Sequence, residues 1–140
     1  MKLQQSLCLT TALLFLAATG QTARAGEATI NPTGTWQWVA PANPDGQIPK
    51  ITFTLKLQGQ TLTGTRMSGS TTTVLTNGVI NGDEVSFQTP RHETSFPKGK
   101  IAYTTYSGKL SGDTIKGTEE ITVDEKAFSS RNWEVKRVKK

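Results

Sequence analysis

A short pattern written three times most constrains what this chain can fold into. It reads Leu57-Gln-Gly59-Gln-Thr-Leu62-Thr-Gly64-Thr65, then Leu110-Ser-Gly112-Asp-Thr-Ile115-Lys-Gly117-Thr118, with a weaker copy Ile80-Asn-Gly82-Asp-Glu-Val85-Ser-Phe87. In each copy an apolar residue ends one strand, a glycine-containing turn follows, and an apolar residue opens the next strand. Strands joined that tightly are antiparallel neighbours. The chain therefore reads as a meander of β-hairpins.

Residues 1–25 read as a cleavable secretory signal rather than as part of the fold. Lys2 supplies the positive start, and Leu7 to Ala18 is a mostly apolar run of 12 residues, too short to span a bilayer as a helix. Ala23-Arg-Ala25 fits the small-x-small cleavage rule, which sets the mature start at Gly26. Cys8, the only cysteine, lies inside the apolar run, so the mature chain has none. The expectation is a secreted or periplasmic protein without a disulfide, whose core must suffice alone. The 115 residues that follow the signal suit one domain, burying roughly two-thirds of the unfolded surface. Their 14 basic and 11 acidic side chains leave a charge of +3. Much of that excess sits at the end, in Lys136, Arg137, Lys139 and Lys140. A nucleic-acid reader would carry a larger basic stripe with stacking aromatics, so no nucleic-acid partner is expected.

Residues 26–33 read as a flexible leader and 34–140 as the domain. Strands are expected over residues 35–39, 51–57, 61–67, 71–75, 84–89, 100–110, 114–123 and 131–138. The clearest is Ile51-Thr-Phe-Thr-Leu-Lys-Leu57, with strict alternation of apolar and polar residues. Asn77-Gly78 reads as a bulge and Asn81-Gly82 as a hairpin turn. Residues 41–49 and 90–99 read as loops. No segment carries a 3.6-residue apolar period. About eight short antiparallel strands in an up-and-down meander close into a barrel, which removes exposed edges; a β-sandwich is the alternative. The polar faces carry Thr, Lys and Ser, which argues against a membrane barrel.

Gly34-Thr35-Trp36 opens the first strand, and Trp133 with Arg137 lies in the last. This arrangement resembles the calycins: lipocalins, fatty-acid-binding proteins and avidins. The resemblance implies that Trp36 packs against Arg137 near Gly34, closing one end of the barrel by a cation–π contact. Leu62-Thr-Gly64-Thr65 is also similar to an avidin-type second hairpin. Only Trp36, Trp38 and Trp133 are present, too few for an avidin biotin site. The chain looks most like small secreted bacterial barrels of unassigned function.

Chemistry is sparse. His92, flanked by Arg91 and Glu93, is the sole histidine. No metal-ligand spacing, phosphate-cradling loop or convergent acid–base set is evident, so neither metal, cofactor nor catalytic residue is assigned. Aligning the hairpins gives a sharper lead. Arg66 and Glu119 fall at the same offset after Leu62 and Ile115, so all four face inward together. Isolated charges inside a small barrel must be paired or wet. Three readings stay open: a structural Arg66–Glu119 ion pair, two polar anchors at the barrel mouth, or a bulge that turns one of them outward. The remaining inward face is expected to be Trp36, Ile51, Phe53, Leu55, Leu62, Val85, Phe87, Ile101, Tyr103, Ile115, Ile121, Trp133 and Val135.

These readings lead to a monomeric, non-catalytic binder of a small apolar or amphipathic ligand. Its expected contacts are Trp36, Phe53, Phe87, Tyr103 and Trp133, with Arg66 and Glu119 as polar anchors. The alternative is a protein-interaction or inhibitor module acting through loops 41–49 and 90–99.

Overall fold

The computed structural model describes residues 30–42, 44–91 and 98–140. The expected signal, residues 26–29 of the leader, His92 and most of the second loop lie outside the described residues. Nine strands are present among the described residues: β1 (Gly34–Val39), β2 (Lys50–Gln58), β3 (Thr61–Ser68), β4 (Thr71–Val74), β5 (Thr76–Asn81), β6 (Glu84–Arg91), β7 (Ala102–Ser111), β8 (Thr114–Val123) and β9 (Lys126–Arg137). The sheet runs β2-β1-β9-β8-β7-β6-β5-β3-β4, and the β2–β3 pairing closes it. The result is an eight-strand, antiparallel, up-and-down barrel with β4 as an extra strand, an architecture consistent with the calycins.

Turn chemistry explains the meander. Gly59, Gly69, Gly82 and Gly112 each occupy the first position of a two-residue loop with φ near +60° (+64°, +59°, +61° and +59°). That is the backbone of a tight hairpin whose twist matches its strands. The β8–β9 turn instead uses Asp124 and Glu125, at φ 47° and 65°, and β9 starts at Lys126 rather than at Arg131 as expected. The Asn77-Gly78 bulge is present: the β5–β6 register shifts between Thr76 and Val79.

Gly64 and Gly117 do not open a cleft. A Cβ at either would lie 1.8 Å from a neighbouring carbonyl, Thr54 O or Ser107 O. These glycines let adjacent backbones approach closely where the barrel bends.

The interior is filled. Trp36, Ile51, Phe53, Leu55, Leu62, Val85, Phe87, Ile115, Trp133 and Val135 are all buried as expected. Phe53, Phe87, Tyr106 and Trp133 form one aromatic cluster, with centroid separations from 5.1 to 5.8 Å. Each such pair is worth about 0.5–1.5 kcal/mol beyond its area. Strand β7 corrects one expectation. Its inward residues are Ala102, Thr104, Tyr106 and Leu110, whereas Tyr103 is 38% and Ile101 60% exposed. Ile121 is only half-buried. The reason lies in the hairpin: Leu110 sits opposite Ile115, so both share the inner face, and two-residue steps back from Leu110 reach Tyr106, not Tyr103.

One end is closed by the expected device. Trp36 is the register partner of Arg137, whose guanidinium lies 4.3 Å from the Trp36 ring centroid. A Cβ on Gly34 would sit 2.8 Å from Arg137 Nη1, so the absent side chain makes room for this stack. Arg137 Nη1 donates to Thr33 O at 2.6 Å, Nη2 to Asn31 O at 2.9 Å and Nε to Asp113 Oδ1 at 3.1 Å. Trp36 Nε1 donates to Pro32 O at 2.8 Å. Asn31 to Thr33, read from the sequence as the end of a flexible leader, are thus strapped across the closed end.

Candidate functional site

The opposite end of the barrel is polar and cationic. Arginines lie on the inward-facing side of three strands there: Arg66 on β3, Arg91 on β6 and Arg131 on β9. Each follows by alternation from a buried residue two or four positions away on its strand: Leu62, Phe87 and Trp133. Glu119 on β8 is buried among them, at 2% exposure. Tyr106 lies deeper, and its hydroxyl donates to Glu119 Oε1 at 3.4 Å. Arg66 and Thr89 are within hydrogen-bonding reach of the same hydroxyl.

Of the three readings left open for Arg66 and Glu119, the ion pair between them does not form. Both residues point inward, but Glu119 Oε2 accepts from Arg131 Nε at 2.5 Å. A bulge decides this pairing. At the β8–β9 turn Val123 faces Lys126 and Thr122 faces Ala127, yet Ile121 faces Ser129. Phe128 is the extra residue, and the one-residue shift brings Arg131 directly opposite Glu119. Arg131 also lies 4.6 Å over the Trp38 ring, which braces its exposed guanidinium.

Among the described residues the cluster therefore holds three guanidiniums and one carboxylate, and that carboxylate is committed to Arg131. Arg66 and Arg91 frame a cavity of about 270 Å³. Its walls are the hydroxyl-bearing Ser68, Thr73, Thr89 and Thr104, with Thr71 at the rim and Pro90 as the one apolar residue. The Arg66 Nε–H is buried and finds no acceptor among the described residues. Arg91 Nη1 donates to Thr104 Oγ1 at 3.2 Å. Desolvation holds the Arg91 guanidinium below its ordinary pKa, and Arg66 and Arg131 add like-charge repulsion against the pull of Tyr106 and Glu119. Burial pushes the Tyr106 phenol up to about 12, with Glu119 acting the same way and Arg66 opposing it.

The cavity opens through the barrel wall. Strands β4 and β5 lie end to end along one edge of β3. Strand β5 pairs with β6, but β4 pairs only with β3, and Thr89 to Arg91 of β6 pair only with β7. Pro90 offers no N–H to bridge the gap.

The other sequence-expected contacts lie elsewhere. Trp36, Phe53, Phe87 and Trp133 are fully buried against one another or at the closed end, and none lines the mouth cavity. Tyr103 faces outward into an open groove of about 890 Å³ on the β5–β8 wall. Several of that groove's polar groups satisfy one another or a neighbour: Asn77 Nδ2 donates to Gln88 Oε1, Gln88 Nε2 to Thr105 Oγ1, and Lys100 Nζ to Asp124 Oδ2. Sequence reasoning assigned no role to Arg131 and placed Arg91 in a loop. Both were reachable by counting two residues from Trp133 and four from Phe87. Among the described residues no helix is long and apolar enough to cross a membrane. No protein-family model matches this chain, and no curated protein or solved structure matches it significantly.

Proposed function

We propose that this chain is an exported, non-catalytic, calycin-type barrel that binds a small anionic ligand at its open end. The observation that carries the reading is the buried Arg66 Nε–H without an acceptor, beside Arg91 in a hydroxyl-lined cavity of about 270 Å³. A buried cationic donor left unpaired costs several kcal/mol, and an anion in the cavity would remove that cost. The nearby carboxylate cannot serve, because Arg131 holds it. The packed aromatic interior moves the site away from an apolar pocket and onto the polar anchors. Calorimetric titration of the protein with acetate and with phosphate, at constant ionic strength, tests the reading. Saturable binding that Arg66→Gln weakens by about tenfold or more is expected; heats that do not saturate, or that ignore the substitution, would exclude it.

Export rests on the pattern of residues 1–25, and a mature N-terminus at Gly26, read by mass spectrometry, checks it. A protein-interaction role has one feature in its favour, the strongly exposed Ile48 in the loop spanning 41–49.

A further inference from the structure

We infer that the ligand at the mouth is a polyhydroxylated carboxylate, of the sugar-acid class, rather than a fatty acid or a bare phosphate. The inference rests on the mouth being the binding site and goes further by naming what it selects.

The cation comes first. Arg66 lines the cavity, and its buried Nε–H has no acceptor among the described residues. A guanidinium approached along its Nε edge offers two parallel N–H groups, a spacing that matches the two oxygens of a carboxylate. Arg91 completes the positive field from the opposite strand.

The walls come next. Apart from the arginines they are almost all hydroxyls, from Ser68, Thr71, Thr73, Thr89 and Thr104, with Pro90 the exception. An alkyl chain seated there would strip the more accessible hydroxyls of Ser68, Thr71 and Thr73 of water and return no hydrogen bonds. A ligand carrying its own hydroxyls exchanges donors and acceptors with them, since each Ser or Thr is both. A bare phosphate accepts from the arginines and from the hydroxyls nearest them, but it fills only a small part of the volume and leaves the farther hydroxyls without a partner.

The floor and the size then set the limit. Beneath the cavity Phe53, Phe87, Tyr106 and Trp133 pack ring against ring, so no apolar tunnel continues inward for an acyl tail. The volume of about 270 Å³ lies just below the ~300 Å³ at which drug-sized pockets begin. That is room for one substituted ring with a few waters.

The test is a calorimetric titration of the full mature protein with four probes at constant ionic strength: glucuronate, glucose, hexanoate and inorganic phosphate. Glucuronate should bind at least about tenfold tighter than each of the other three, the ratio expected when one set of hydrogen bonds is lost. Thr73→Val, which removes one wall hydroxyl at constant shape, should weaken glucuronate by about three- to tenfold and leave hexanoate unchanged. Arg66→Gln should weaken glucuronate and hexanoate together and leave glucose unaffected. Phosphate or hexanoate binding as tightly as glucuronate would overturn the sugar-acid inference while leaving anion binding standing. Glucose binding as tightly as glucuronate would overturn the role of the charge. Saturation by none of the three anions would sink the underlying reading itself.

Discussion

Replacing Arg131 should destabilise this barrel more than replacing Glu119, although the two side chains form a single ion pair. The asymmetry follows from their exposure. Glu119 is 2% exposed and Arg131 is 55% exposed in the side chain. Arg131→Met leaves a carboxylate inside the barrel mouth without its direct cation. Stranding a buried charge costs about 3–5 kcal/mol; Arg66 and Arg91 stay nearby, so the lower end, about 3 kcal/mol, is expected. Methionine retains part of the packing on Trp38, which limits the contribution of the lost stack. Glu119→Gln is the opposite case. The freed guanidinium turns to water, the glutamine oxygen still accepts from Tyr106, and Arg66 and Arg91 are only partly buried. The expected loss is about 1 kcal/mol. The double variant should lose about 1–2 kcal/mol, less than Arg131→Met alone, giving a coupling of about 2–3 kcal/mol. Urea denaturation of the four proteins at pH 7 measures each value. In a domain of this size the Arg131 variant should melt about 12 °C or more below the parent. A Glu119→Gln loss equal to or larger than the Arg131→Met loss would refute the reasoning, because it would mean that the buried carboxylate gains nothing from its exposed partner.

Two further predictions concern the core and the backbone. The Tyr106 phenol is held near 12 against an ordinary 10.0, so between those pH values the unfolded chain releases its proton first and stability falls as pH rises. The loss, up to about 3 kcal/mol, should be missing in Tyr106→Phe; unfolding curves of both proteins from pH 8 to 11.5 that run parallel would contradict the assignment. Gly117→Ala forces a methyl group against the Ser107 carbonyl and should cost about 3 kcal/mol or more. Gly112→Ala meets no atom within 4 Å and is opposed only by a φ of +59°, so about 1 kcal/mol is expected. Equal melting temperatures for the two variants would show that strand proximity is not what the glycine at 117 serves.

The residues that sequence reasoning misplaced share one physical cause. Around Ile101-Ala-Tyr103-Thr-Thr-Tyr106 both alternating faces carry apolar groups, so local pattern alone does not choose between Tyr103 and Tyr106. The choice is made further along the hairpin, at Leu110 and the Ile115 opposite it. Glu119 likewise had two inward-facing arginines within the same logic, Arg66 and Arg131. Which one it meets depends on a single extra residue, Phe128, in the neighbouring strand. A slip of one residue changes every cross-strand partner, and nothing in the composition around Phe128 announces the bulge.

By itself the sequence determined the antiparallel meander, because a tight glycine-led turn between two alternating segments leaves them no other way to pair. It also determined the closed end, since Gly34, Trp36 and Arg137 each leave one recognisable residue type at a strand terminus. Closure, strand parity and register were decided by the tertiary structure. Closing β2 onto β3 brings Arg66, Arg91, Glu119 and Arg131 from four strands to one rim, and splaying β4 from β6 opens the cavity between them. Such a site belongs to no segment of the chain. It exists only where strands far apart in sequence bring these residues to the same height, and that height is set by every turn and bulge between them.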